Sequence, residues 1–132
     1  MSALSEEFYG IELGDQRLNR RAQRLLEQLG NKPLVSIPAA CNGWSETRAA
    51  YRLFDHKAVT AKAVLAPHIA STIERMGAHP RVLCIQDTSE LDYTGKPSMQ
   101  GLGPLNLEIR QGLYLHPTLA LTPERLCLGR KR

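Results

Sequence analysis

The sequence has few cysteines and no long apolar segment, and each shortage excludes a class of protein. Its three cysteines are far apart and lie outside any C-x-x-C arrangement, so neither a disulfide framework nor a zinc knuckle is indicated. No apolar run approaches the roughly 20 residues of a membrane span. The opening MSALSEEFYG has neither the basic nor the apolar region of a secretory signal. We expect reduced core thiols and a soluble cytoplasmic protein with no membrane partner.

The chain has 132 residues, enough for one ordinary domain or for a small domain plus part of another. Hydrophobic residues make up 42% of it, which is sufficient for a packed core. The net charge of +4 is a modest basic excess that is compatible with a nucleic-acid partner but does not require one. The distribution of the charges is therefore more informative than their sum.

The most regular pattern is GDQRLNRRAQRLLEQLG, from Gly14 to Gly30. Its apolar residues recur at the spacing of one helix face, with Asp15 placed to cap the start and Gly30 the end. Four arginines share a neighbouring arc of this helix: Arg17, Arg20, Arg21 and Arg24. Guanidinium groups suit backbone phosphates, so we predict that these arginines bind DNA. The alternative is a solvated helix face that binds nothing.

Two shorter helices are predicted next. SIPAACNG suggests a helix capped by Ser36 with Pro38 in its first turn, and WSETRAAYRLFD suggests a second helix that begins near Ser45. The Asn-Gly turn between them indicates a helix-turn-helix unit, and Arg48 is then a further predicted DNA-binding residue. Helical hairpins also occur in bundles that bind nothing, so this signal alone is weak.

Aromatic and histidine side chains favour less specific interpretations. Trp44, Tyr51 and Phe54 could stack on bases, but aromatics at helical spacing belong more often to a core, and we assign them to packing. The four histidines have no metal-ligand spacing with one another. His116 is singled out because its strand should neighbour the strand that ends at Asp87.

The sequence changes from helix to strand after residue 77. Thr60 can cap a last helix, in which Pro67 predicts a kink or a break. RVLCIQD then predicts a buried strand, and the last segment predicts a hairpin with Pro123 in its turn. The fold class is therefore α+β, with helices in residues 1–77 and antiparallel strands in residues 78–132.

A carboxylate, Asp87, follows the predicted buried strand. There it could hold a divalent metal, or it could bond its own backbone in a turn with Thr88 and Ser89. Spacing alone favours the turn, because metal sites for phosphoryl transfer usually need two or three carboxylates. Glu90 and Asp92 should point to one side of the chain, and we assign both to solvent.

Four segments together resemble the bacterial DDE transposases of insertion sequence family four, the Tn five type: ELGDQRLNRRAQRLLEQL, KPLVSIPAACNGWSETRAAYRLFDHKAVT, VLCIQDTSELDY and GLYLHPTLAL. The resemblance covers nearly the whole chain. It implies a helical DNA-binding domain over residues 1–77 and, over residues 78–132, the first three antiparallel strands of an incomplete ribonuclease H-like catalytic domain. Three acids of that family bind two Mg²⁺ ions, and Asp87 matches the first. The resemblance therefore makes Asp87 the predicted catalytic and metal-binding residue.

The resemblance also carries the functional expectations. We expect a transposase-related bacterial protein, associated with the nucleoid, that binds transposon-end DNA. No acid matches the second or third family position, so the chain is expected to be truncated, to bind no Mg²⁺ tightly and to be inactive in DNA cleavage and strand transfer alone. It could form a homodimer or pair with full-length transposase. The alternatives are a stand-alone DNA-binding inhibitor of transposition and a helical interaction bundle without DNA affinity. An unfinished sheet also predicts an uncovered apolar face.

Overall fold

The computed structural model describes residues 6–96 and 98–131, with side chains as far as residue 129. The chain divides into two compact units, Met1–Ser71 and Thr72–Arg132. The division falls inside the last helix. The assignment of residues 1–77 and 78–132 to two functional domains stays a prediction.

Within the described residues, four helices precede the strands: α1 (Gln16–Asn31), α2 (Ile37–Ala40), α3 (Trp44–Phe54) and α4 (Ala61–Gly77). The carboxylate of Asp15 caps α1 as predicted, accepting hydrogen bonds from the N–H groups of Arg17 at 2.6 Å and Leu18 at 3.4 Å. Thr60 caps α4 through its hydroxyl, which accepts from the N–H of Ala63 at 3.1 Å. The helix continues through Pro67, so of the predicted kink or break the break is wrong and the kink stays a prediction. Proline removes one hydrogen bond and crowds the carbonyl four residues earlier, which can bend a helix without ending it.

The helical unit has one apolar core. Its buried members come from the segment before α1, from α1 itself, from the turn after α2 and from α3: Ile11, Leu13, Ala22, Leu25, Cys41, Ala50 and Leu53. Leu18, Leu26 and Leu29 pack against this cluster, so the predicted apolar face of α1 is the face that points inward. Cys41 is the buried thiol that we expected, whereas Cys84 and Cys127 are exposed and the expectation is wrong for them.

In residues 78–96 and 98–131, six strands follow the helices: β1 (Leu83–Gln86), β2 (Ser89–Asp92), β3 (Gly103–Pro104), β4 (Gln111–Leu115), β5 (Thr118–Leu121) and β6 (Cys127–Lys131). They form two antiparallel three-stranded sheets with the orders β1-β5-β6 and β2-β4-β3. The α+β class is confirmed.

Short strands replace the longer ones that the sequence predicts. Residues 83–92 run antiparallel to residues 112–121 and pair with them in both sheets. Leu83 lies opposite Leu121 in the first sheet, and Asp92 lies opposite Gly112 in the second. Each segment is interrupted once, after β1 and after β4. Pro117 lies in the second interruption, where a residue without an N–H cannot continue the ladder.

The structure contradicts the prediction that β1 is buried. All four of its residues are exposed, with Leu83 at 45% and Ile85 at 48% of full accessibility. β1 is an edge strand, and an apolar strand is buried only where other elements cover its faces. Other strand residues are exposed as well: Leu91, Leu113, Tyr114 and Leu119. The sheet unit thus has the uncovered apolar surface that we expected.

The hairpin between β5 and β6 is confirmed. The N–H of Arg125 donates to the carbonyl of Thr122 at 2.9 Å, and the N–H of Thr122 donates to the carbonyl of Leu126 at 2.9 Å, with Pro123 inside the turn. None of the helices in the described residues has the length and apolar character that crossing a bilayer requires.

Candidate nucleic-acid interface

The four predicted arginines of α1 lie together on one open groove. Arg17, Arg20, Arg21 and Arg24 are all exposed, and all four line the groove. The side of α3 that faces it contributes small or polar residues, Ser45, Glu46 and Ala49, while buried Leu25 and Ala50 reach its floor. The groove is therefore formed between α1 and α3, with guanidinium groups along the α1 side.

One arginine of the groove is paired with a carboxylate of the protein. Arg24 forms an ion pair with Glu46, and the Gln28 side-chain amide donates to the same carboxylate. The hydrogen bond from Gln28 lowers the pKa of Glu46, and the positive charge of Arg24 contributes in the same direction against the effect of desolvation. Among residues 6–96 and 98–131, no such ion pair involves Arg17, Arg20 or Arg21. Three guanidinium groups thus remain available to an anionic ligand.

The turn that positions α3 depends on a glycine. Gly43 has a φ of 102°, a left-handed conformation that favours glycine, and it immediately precedes the first residue of α3. Its carbonyl accepts a hydrogen bond from the Thr47 hydroxyl at 3.0 Å. With the one-turn helix α2 before it, this arrangement has the helix, tight turn and helix that the sequence predicts, although Ser36 makes no side-chain cap bond to α2.

The outer face of α3 is aromatic and basic, which corrects the assignment of its aromatics to the core. Trp44 is 75% exposed, Tyr51 49% and Phe54 50%. The helix instead buries Thr47, Ala50 and Leu53, a stripe of smaller residues at three-residue spacing. Arg48 and Arg52 are exposed, and Arg48 lies between Trp44 and Tyr51 at spacings of four and three residues.

Asp87 lies in the exposed link between β1 and β2. Its carboxylate accepts a hydrogen bond from the N–H of Thr88 at 2.8 Å, a local backbone contact of the kind that the turn interpretation predicts. The Thr88 hydroxyl oxygen is 2.6 Å from Nδ1 of His116, so His116 does neighbour this link. In the described part of the chain, no three histidine, cysteine or acidic side chains are close enough to hold a metal ion together. These residues alone do not fit a two-metal centre, and the catalytic and metal-binding role of Asp87 stays a prediction.

Glu90 and Asp92 are not simply solvated, as the sequence suggested. They lie two residues apart on β2 and both bind Arg110, with distances of 3.0 Å from Nη1 to Glu90 and 2.8 Å from Nε to Asp92. Hydrogen bonds from Thr94 and then from Arg110 lower the pKa of Asp92 from its ordinary 3.8 to about 2. The Asp92 hydrogen bond in turn raises the pKa of Arg110. Sequence spacing could not predict this cluster, because Arg110 is far from Glu90 and Asp92 in the sequence and is separated from them by a loop.

The segment that carries the groove is also a segment that matches a protein family. Residues 1–59 match the transposase DNA-binding family. This match contains α1, α2 and α3, and it supports a transposase-type N-terminal region with a DNA-binding role. A comparison with curated proteins finds no match. The match ends before α4, so it does not address the sheets.

Proposed function

We propose that this protein binds double-stranded DNA at transposon ends through the groove between α1 and α3 and the outer face of α3. One observation carries the proposal: the residues that match the transposase DNA-binding family are the residues that place four exposed arginines on one groove. A solvated helix face would explain the exposure of the arginines but not this coincidence.

The two surfaces have different roles in the proposal. The α1 arginines contact backbone phosphates, which supply affinity and orient the protein without reporting base sequence. Arg48 on α3 contacts base edges in a groove, as the second helix of a helix-turn-helix does. Trp44 and Tyr51 flank Arg48 on the same exposed face, where planar side chains can pack against DNA.

A salt titration of DNA binding tests this proposal. Each phosphate contact contributes about 0.9 to the slope of log affinity against log salt. The double variant Arg20→Ala/Arg21→Ala should therefore reduce the slope by about 2. The measurement is the fluorescence anisotropy of a labelled duplex of about 20 base pairs, two helical turns, at increasing salt.

The matched control removes two positive charges from exposed positions of the sheet unit, Arg81→Ala/Lys96→Ala. Its slope should stay close to that of the unmodified protein. An unchanged slope in the α1 variant, or an equal reduction in both variants, would show that the arginine groove is not the DNA-binding surface.

We further propose that the sheet unit is related to the ribonuclease H-like domain of DDE transposases, with Asp87 in the place of the first acid. The basis is the resemblance around IQDTSELDY together with the position of Asp87 directly after β1. Asp87 belongs to no group of three metal-ligating side chains among the described residues, and Arg110 already engages Glu90 and Asp92. The 132-residue chain alone should bind no Mg²⁺ tightly and should neither cut nor join DNA.

Incubation of the purified chain with Mg²⁺ and transposon-end DNA tests this second proposal. We expect intact DNA, because one carboxylate does not assemble the metal site that phosphoryl transfer needs. Specific nicking that disappears in Asp87→Asn would overturn the expectation of inactivity and would identify Asp87 as catalytic.

A further inference from the structure

Arg24 and Gln28 both bind the carboxylate of Glu46, although the packing of the two helices does not require such a contact. Arg24 and Gln28 are one turn apart on α1, and both direct their donors at a carboxylate that belongs to α3. All three side chains line the arginine groove. The protein therefore places its own anion among the cations that we propose for DNA binding.

The donors that bind Glu46 are also suitable for a phosphate. A guanidinium group and an amide N–H offer directed hydrogen bonds to any oxyanion, and arginine binds carboxylate and phosphate in the same geometry. Glu46 occupies the position that a phosphate oxygen would need. Its negative charge would also repel a DNA backbone that enters the groove.

The accessibility of the pair allows exchange of one anion for another. The Arg24 side chain is 67% exposed and the Glu46 side chain 21%. Because Arg24 is largely exposed, the ion pair is partly screened by solvent and contributes only modestly to stability. Arg24 can turn from Glu46 to an incoming phosphate without uncovering the core, since neither residue belongs to the buried cluster.

We propose that Arg24 and Gln28 form a phosphodiester-binding site that Glu46 occupies in the DNA-free protein, so that DNA must displace Glu46 to complete its contacts. The inference rests on the proposed DNA binding and adds a competitor inside the same groove. Its consequence is that Glu46 weakens DNA binding. If Glu46 instead oriented Arg24 for DNA, its removal would weaken binding.

The test is the variant Glu46→Gln, which keeps the size of the side chain and removes its charge. In the anisotropy titration with the same labelled duplex, affinity at low salt should increase. The salt slope should stay close to that of the unmodified protein, because the Arg24–phosphate contact forms in both complexes and only the cost of displacing Glu46 is removed. In an Arg24→Ala background, the substitution of Glu46 should raise the affinity less, because the guanidinium group that it releases is absent and only the repulsion of the DNA backbone is relieved.

A charge-matched control is Glu6→Gln, which changes the net charge equally at an exposed residue that does not line the groove. Far-ultraviolet circular dichroism checks that each variant keeps its helices. An equal effect of Glu6→Gln, an unchanged affinity in Glu46→Gln or weaker binding by Glu46→Gln would overturn the inference while leaving DNA binding intact. Absence of salt-dependent binding by the unmodified chain would instead overturn both the inference and the proposed function.

Discussion

The helical unit and the sheet unit use apolar residues differently. The helical unit places leucine, isoleucine and alanine side chains in one buried cluster, with charged and aromatic residues on its outer faces. The sheet unit leaves strand residues such as Ile85 and Leu113 nearly half exposed. Apolar side chains thus form a covered core in one region and an accessible sheet surface in the other.

The difference follows from what each element needs from its neighbours. A helix satisfies its backbone hydrogen bonds internally and needs cover on only one stripe of its surface. A strand needs partners at both edges and, if both faces are apolar, cover on both faces as well. The apolar run at β1 therefore predicted a strand correctly but did not predict its exposure.

Truncating one apolar side chain in each unit should give the largest difference in stability. Leu53 is 3% exposed in the helical core, and Leu53→Ala should lower the free energy of unfolding by about 2–5 kcal/mol, because it leaves a cavity. Ile85 is 48% exposed, and Ile85→Ala should lower the free energy of unfolding by less than about 1 kcal/mol. Urea unfolding followed by circular dichroism measures both. Equal losses would mean that β1 is covered in solution and would remove the contrast between the units.

A smaller effect should appear in acid, in the sheet unit. The pKa of Asp92 is lowered to about 2, so its charged form stabilises the folded state fully above the ordinary value of 3.8. That contribution should be lost as the pH falls from about 4 through about 2. Asp92→Asn should destabilise the protein at neutral pH. The difference in stability between this variant and the unmodified chain should shrink toward pH 2.

The measurement is the urea midpoint of each protein at several pH values. Arg110→Gln, which removes one partner of Asp92, should reduce the same acid-dependent difference in part, because Thr94 still donates to the carboxylate. If the urea midpoints of the Asp92 variant and the unmodified protein differ by the same amount over this pH range, the cluster does not hold the carboxylate in its charged form.

Local signals predicted much of the fold, although α1 ends at Asn31 and not at the predicted cap Gly30, and Ser36 makes no cap bond. The cap at Asp15, the cap at Thr60 and the turn at Pro123 each depend on side chains and backbone a few residues apart, and the structure confirms all three. Burial depends on distant segments and was predicted less well. The aromatics of α3 were assigned to the core because their spacing is helical, but a narrow stripe of smaller residues already fills that position.

The candidate site shows the same division. The four arginines could be placed on one edge of α1 from the 100° rotation per residue, which is a local property. The pairing of Arg24 with Glu46 joins two helices, and the pairing of Arg110 with Glu90 and Asp92 joins two segments across a loop. Spacing within one element contains no information on such contacts, because they depend on how elements pack.

The most direct test of the central claim is to map DNA contacts along the labelled chain by nuclear magnetic resonance. On addition of duplex DNA, amide signals of α1 from Arg17 to Gln28 and of α3 from Trp44 to Arg52 should shift, while signals of β1, β4 and β5 should stay in place. The shifts should reverse as salt is raised, since phosphate contacts release counterions. Shifts concentrated in the sheets, or no shifts at low salt, would contradict the assignment of DNA binding to the helical unit.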